Sequence, residues 1–118
     1  MSRRMRVFVA ALDAQARRHG LQAELLLVDW NPPTDRPPLA DVLPRPAGGS
    51  PLSIRHIRVP PENHRRWRHW ESIPLFQMIA KNVGIRRARG EFVLATNVDL
   101  FFSDPLCEFL AREPLDPD

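Results

Sequence analysis

Thirteen prolines against five glycines, with the prolines clustered in residues 32–61, constrain this chain more than any other feature. Proline lacks an amide N–H and fixes φ, so it interrupts helix interiors and central strands. The middle of the chain is therefore loop-rich, and long regular elements belong on either side of it. At 118 residues the chain suffices for one domain around one modest core. Its 43% hydrophobic and 26% charged residues are those of a globular protein rather than a disordered one.

Residues 5–19 predict a helix with Phe8, Leu12 and Gln15 on one face and Val7, Ala11 and Ala14 beside them; Gly20 is a natural stop. Residues 23–28 (AELLLV) form a short apolar run, as in a strand covered on both faces. The run ends at Asp29-Trp30-Asn31-Pro32-Pro33. A short helix is expected in 34–43, with Pro37 and Pro38 in its first turn, then a Pro/Gly loop over 44–51. Residues 54–59 (IRHIRV) give a second strand, nearer an edge. Residues 60–72 form a basic, aromatic loop.

The longest helix is expected over 74–89. Ile73, Phe76, Ile79, Ala80 and Val83 make its apolar stripe, Leu75, Met78 and Ile85 widen it, Pro74 lies in the first turn and Gly90 ends it. Residues 91–96 (EFVLAT) read as a third strand. Residues 104–112 read as a last helix with Ser103 or Asp104 as N-cap and Pro105 at its start, followed by a frayed tail over 113–118. This alternation predicts an α/β fold: a Rossmann-like parallel sheet of about three to four strands with helices on both faces, in a single domain over 1–118. No internal repeat interrupts it.

The formal net charge is +3 and the sequence pI about 10.4. All the basic residues except Lys81 are arginine, spread from Arg3 to Arg112 and interleaved with acids, so solvated faces explain them better than a nucleic-acid tract, and no DNA partner is expected. Cys107 stands alone in an apolar helical pattern, which excludes an internal disulfide and suggests a buried thiol in a reducing, cytoplasmic setting. No apolar run approaches the ~18 residues of a membrane span, and no signal peptide is recognisable in the basic start.

In sheets of the expected kind, ligands bind beyond the carboxyl ends of the strands. Asp29 ends the first strand, and Asn97-Val98-Asp99 ends the third. Two oxygen-bearing side chains two residues apart can approach one hard cation, Mg²⁺ or Mn²⁺, that also takes phosphate oxygens. The alternative is a strand-end turn with Asp99 capping a backbone N–H. Asp29 and Asn31 could accept or donate hydrogen bonds to a base or ribose, the alternative being an Asx-turn into Pro32-Pro33. Trp30 either stacks or packs. Lys81 and Asn82 either face a cleft or form a solvated stripe, and Gly84 within the helix suggests close approach to a strand. Arg65-Arg66-Trp67-Arg68-His69-Trp70 either grips phosphates, a sugar face or single-stranded nucleic acid, or is a solvated loop anchored to the core by its tryptophans. His56, His64 and His69 have no metal-ligand spacing and are expected at the surface. No G-x-S-x-G, H-E-x-x-H, P-loop or G-x-G-x-x-G occurs.

The stretch PLFQMIAKNVGIRRARGEFVLATNVDLFFSDPL resembles the central segment of inverting, family-2-like GT-A glycosyltransferases. There a helix with an A-x-N-x-G-[IL]-x-x-A-x-G pattern leads into an apolar strand and a D-x-D motif. The matches are Ala80, Asn82, Gly84, Ile85, Ala88 and Gly90, then residues 92–96 and the Asn97-Val98-Asp99 triplet. Upstream, ELLLVDWNPP resembles the family's second strand with its terminal acid at Asp29. The resemblance implies a partial nucleotide-sugar-binding domain, a hexosyltransferase-like enzyme family and transfer to an acceptor hydroxyl of a glycan or lipid. It implies nucleoside contact at Asp29, a divalent cation at Asn97 and Asp99, phosphate contact at Lys81 or Arg86, and peripheral membrane association in a full-length protein. Asn97 stands where the motif has its first acid, and supplies an oxygen without its charge. The family's opening strand and acceptor half, with its general base, find no counterpart, so the expectation is a donor-binding fragment inactive alone. Two alternatives stay open: a non-catalytic basic module binding nucleic acid or an anionic surface through 65–70, and a nucleotidyltransferase, for which no Gly-rich phosphate loop is present.

Overall fold

The computed structural model describes residues 2–116 of the chain, a mixed α/β fold with one two-stranded parallel sheet. Helix α1 (Ser2–His19) leads into strand β1 (Ala23–Trp30). The Pro-rich crossover carries the single-turn α2 (Leu39–Val42) and returns to strand β2 (Leu52–Val59). Then follow α3 (Pro61–His64), α4 (Gln77–Arg87) and α5 (Asp104–Arg112). None of the helices is long and apolar enough to cross a membrane, among the described residues.

α1 covers one face of the sheet. Met5, Phe8, Val9, Leu12 and Ala16 are buried at helical spacing and pack with Leu25, Leu27, Leu52 and Ile54. The buried stripe thus differs from the expected one: Val7 is 47% exposed and Ala14 is exposed, because the adjacent pair Phe8–Val9 turns toward the sheet and carries the opposite side outward. Gly20 ends the helix at φ +65°, and the Leu21 amide donates back to the Ala16 carbonyl at 2.9 Å, closing a Schellman turn. Arg17, Arg18 and His19 complement the carbonyl end of the helix.

β1 and β2 pair in register from Ala23↔Leu52 to Trp30↔Val59. Side chains alternate, so the second face carries Val28, Trp30 and Val59, and there α4 docks through Ala80, Ile79 and Val83. An ideal Cβ on Gly84 meets Val28 Cγ2 at 3.3 Å, so the glycine permits the close helix–strand approach anticipated from the sequence. α4 is shorter than expected. The Pro74 carbonyl is taken by Asn31 Nδ2 (3.4 Å), and Phe76 caps the helix with non-helical ψ 82°. Leu75, Met78 and Ile85, expected to widen the stripe, are instead exposed at 48%, 71% and 44%, since only two strands lie beneath the helix.

Residues 91–96 do not form the expected third strand, so the sheet has two strands rather than three to four. The segment leaves α4 on one face, where the Arg89 amide donates to Glu24 Oε2 (3.3 Å), and rejoins the opposite face at Val98. Its β-prone residues Phe92, Val93 and Leu94 stay 43%, 49% and 58% exposed. Strand propensity is realised only where a neighbouring backbone supplies a ladder, and among the described residues none does. α5 then packs on α1, with Cys107 fully buried and its thiol pushed up by that burial. Ser103 Oγ accepts from the Leu106 amide (3.3 Å), as the N-cap reading anticipated. Asp104 clasps Arg18 (3.2 Å) and His19 Nε2 (3.0 Å), contacts that hold its carboxyl below the usual range. In the tail, 113–116 are irregular, and 117–118 lie outside the described residues.

Gly84→Val places branched methyls against Val28 and is expected to destabilise the fold by about 1–3 kcal/mol. Gly84→Ala is expected near neutral, because its helix-propensity gain of about 1 kcal/mol offsets the tight contact. Urea midpoints of the two variants check this.

Candidate functional site

A parallel strand pair with flanking antiparallel helices brings strand carboxyl ends and helix amino ends to one rim. Met5, in the first turn of α1, packs with Leu27, while Ala16 near its end belongs to the cluster around Leu52. α4 likewise begins beside Asn31 and ends where its Arg87 carbonyl accepts from Arg55 Nη2. The carboxyl rim therefore gathers Asp29 and Trp30 of β1, Asn31 just beyond it, Arg58 of β2, and the first turns of α1 and α4.

Asn97 and Asp99 are tied to this rim. Asn97 Oδ1 accepts from Gln77 Nε2 of α4 at 3.0 Å, and Asp99 Oδ1 lies 3.6 Å from Arg4 Nη1 of α1. The triplet forms a turn closed by the Leu100 amide on the Asn97 carbonyl (3.2 Å), but the turn ends no strand, and Asp99 pairs with Arg4 rather than capping an amide. Both Asp99 and Arg4 are well exposed, and such a pair holds weakly. Among the described residues no hydrogen bond or ion pair joins Asp29 to Asn97 or Asp99; they share the rim, not a contact.

Asp29 is half-buried on the α1 face, beside Arg58 in register. Its charge reaches His56, two residues before Arg58 on the same face. Asn31 adopts left-handed φ 50°, with its amide on the Val59 carbonyl at 2.8 Å. Lys81 is half-buried one turn beyond Gln77 on the same helix face, and forms no ion pair among the described residues. Arg86 is a correction: nine residues along α4 from Gln77, it sits ~13 Å down the axis toward the opposite rim and cannot serve a phosphate there.

As cation ligands, Asn97 and Asp99 offer hard oxygen donors, the minimum a Mg²⁺ or Mn²⁺ takes from protein when phosphate and water complete its shell. Their present partners, Gln77 and Arg4, are separate. No cluster of three or more His, Cys, Asp or Glu gathers among the described residues. Two hard oxygen donors are compatible with such a cation, and any further ligands would have to come from water or a bound molecule.

The histidine expectations are corrected in two places. His64 is only 3% exposed. Trp30 Nε1–H donates to His64 Nδ1 (2.9 Å), which requires the proton on Nε2, and Nε2–H donates to the Trp70 carbonyl (3.1 Å). Phe76 stacks obliquely on His64 with ring centroids 5.0 Å apart, and meets Trp30 edge-on at 6.3 Å. Trp30 is therefore a buried packing residue, and this latch moors the 65–70 loop at the rim. Pro61 at the first position of α3 is the one local sign that the loop starts with a helical turn presenting His64. His56 is partly buried with Nδ1 unpartnered; burial first, then Arg45, lowers its pKa, and Asp29 partly offsets this.

His64→Ala strands the buried Trp30 N–H and opens a cavity, with an expected loss of about 2–4 kcal/mol in urea unfolding. His56, with a folded pKa below its unfolded value of 6.5, favours folding fully above that value, and its contribution falls away as pH drops through 6.5 toward the folded pKa. Unfolding free energy should decline from pH 7 to 5, with the decline flattened in His56→Gln.

Comparison with known proteins gives no matching family model, no matching curated protein and no matching solved structure.

Proposed function

We propose that this chain is the donor-binding portion of an inverting GT-A glycosyltransferase, holding a nucleoside-diphosphate sugar along its carboxyl rim. In this reading the two parallel strands with helices on opposite faces are part of a larger Rossmann-like sheet, with residues 91–96 as a strand that lacks its ladder. Asp29 and Asn31 contact the nucleoside. Asn97 and Asp99 face the diphosphate with a divalent cation, and Lys81 adds charge from the side of α4. A bound cation would neutralise charge on the departing diphosphate. No catalytic base is assigned within the chain.

One observation carries the reading: Asn31, just past the end of β1, and Asn97 and Asp99, in the turn after residues 91–96, are tethered to elements of one rim, Asn31 through Pro74, Asn97 through Gln77 and Asp99 through Arg4. Rim placement alone is shared by many α/β domains, and the resemblance of residues 74–106 supplies the chemistry. Asp99 must exchange Arg4 for the cation. That exchange costs little, because the pair is exposed.

Calorimetric titration with UDP, GDP and ADP in Mn²⁺ tests the assignment. Asp99→Ala is expected to weaken Mn²⁺-dependent binding by about tenfold or more, the value of one charge-assisted contact. Asp29→Ala is expected to weaken nucleoside diphosphates with or without metal. Unchanged Mn²⁺-dependent affinity in Asp99→Ala rules the site out.

A further inference from the structure

We infer that Trp67, set among Arg65, Arg66 and Arg68, is a stacking platform for the base of a nucleoside diphosphate held at the same rim; this rests on the donor-site reading above. Large indole rings are ordinarily buried or hydrogen-bonded, yet Trp67 is 45% exposed on a loop whose neighbours are held in place. His64 fixes the loop below through Trp30 and Trp70. Above, the Ser72 and Ile73 amides both donate to the His69 carbonyl (3.1 and 3.0 Å), and His69 itself is held at left-handed φ 63°. Trp67 leans on Phe76 with centroids 6.3 Å apart. Phe76 directly precedes Gln77, which holds Asn97. The exposed indole is thus two links from the diphosphate end of the candidate site.

The guanidinium groups around it meet no acid, among the described residues. Some arginines meet acids, Arg17 with Asp13, Arg18 with Asp104, Arg55 with Glu24 and Arg112 with Glu108, while others, such as Arg36, Arg45 and Arg58, do not among the described residues. Arg65, Arg66 and Arg68 form no ion pair among the described residues. Arg65 instead lies over the Trp70 ring, 5.9 Å from its centroid. That contact occupies one indole face with a cation and leaves Trp67 as the ring offered to a ligand. A partner that is both anionic and flat matches this surface: guanidinium forks take phosphate oxygens, and the indole takes the π-face of a base. A single open ring suits one base. A polynucleotide calls for successive stacking positions along a basic groove, and Trp70 is already capped.

The test compares the intact chain with Trp67→Leu and Trp67→Phe. Leucine keeps the apolar contact with Phe76 and removes the aromatic face; phenylalanine restores one. Titrations use UDP, GDP and ADP, with inorganic pyrophosphate as a probe without a base. Trp67→Leu is expected to weaken at least one nucleoside diphosphate by about fivefold or more. Trp67→Phe is expected to recover most of that loss, and pyrophosphate affinity to stay unchanged in both. Nucleoside diphosphates bound equally by Trp67→Leu and the unsubstituted chain overturn the platform while leaving the donor site standing. An equal loss for pyrophosphate overturns it too, because the effect is then on charge or folding rather than stacking. If the unsubstituted chain binds none of the three nucleotides, both readings fall, and salt-sensitive binding of single-stranded RNA in the same assay would replace them.

Discussion

Parallel strands cannot be joined by a tight turn; they need a crossover long enough to carry the chain back to the starting end. The β1–β2 ladder imposes that requirement here, and the proline-rich stretch between the strands supplies the return path. Once the strands share a direction, the helices before and after them run the other way, and their first turns come to the strands' carboxyl ends. The gathering of Asp29, Asn31 and Gln77 follows from this topology before any side-chain contact is considered, whereas Asn97 and Asp99 reach the rim through their side-chain contacts. With only two strands, each helix finds a narrow floor. This accounts for the exposed apolar residues along α4 and for a core divided into small clusters on either face.

The second organising contact is the buried imidazole of His64. It uses both ring nitrogens, one accepting from β1 and one donating to the loop. It therefore couples the strand end bearing Asp29 to the segment bearing the unpaired arginines. A histidine fully satisfied in this way behaves as a structural pin, and a neutral one fits the apolar surroundings of Trp30, Phe76 and Trp70. The basic loop is solvated, but His64, rather than the two exposed tryptophans the plainer sequence reading named as anchors, fixes it relative to the rim.

Local signals were legible wherever they were enough by themselves. The apolar block ending at Asn31-Pro32-Pro33 marks β1, Gly20 marks the end of α1, and Ser103 with Pro105 marks the start of α5. Gly84 announced close packing, and Val28 is the neighbour that required it. What failed depended on distant partners. Residues 91–96 have a strand's composition, but a ladder is a non-local fact. The burial of His64 depends on Trp30, 34 positions earlier, and no pattern in the sequence ties the two. The start of α4 shifted because Asn31 captured the Pro74 carbonyl. For the candidate site, the position of Asp29 at the end of β1 was readable, whereas Asn97 and Asp99 lie in a turn that follows no strand, and their tethers Gln77 and Arg4, each from a different helix, were not readable.

The unladdered stretch at 91–96 also divides the molecule's energetics. Among the described residues its amides meet no ladder carbonyl, so local opening there breaks few hydrogen bonds, while the β1–β2 pairing opens with the surrounding layers. Deuterium uptake along the backbone would accordingly be fastest in an interior segment rather than at the helical ends. That same segment is the only covalent path from α4 to α5. The two halves of the rim, one bearing Gln77 and the other Asp99, are thus joined by a stretch without ladder hydrogen bonds, and the side-chain tethers bear on their relative spacing.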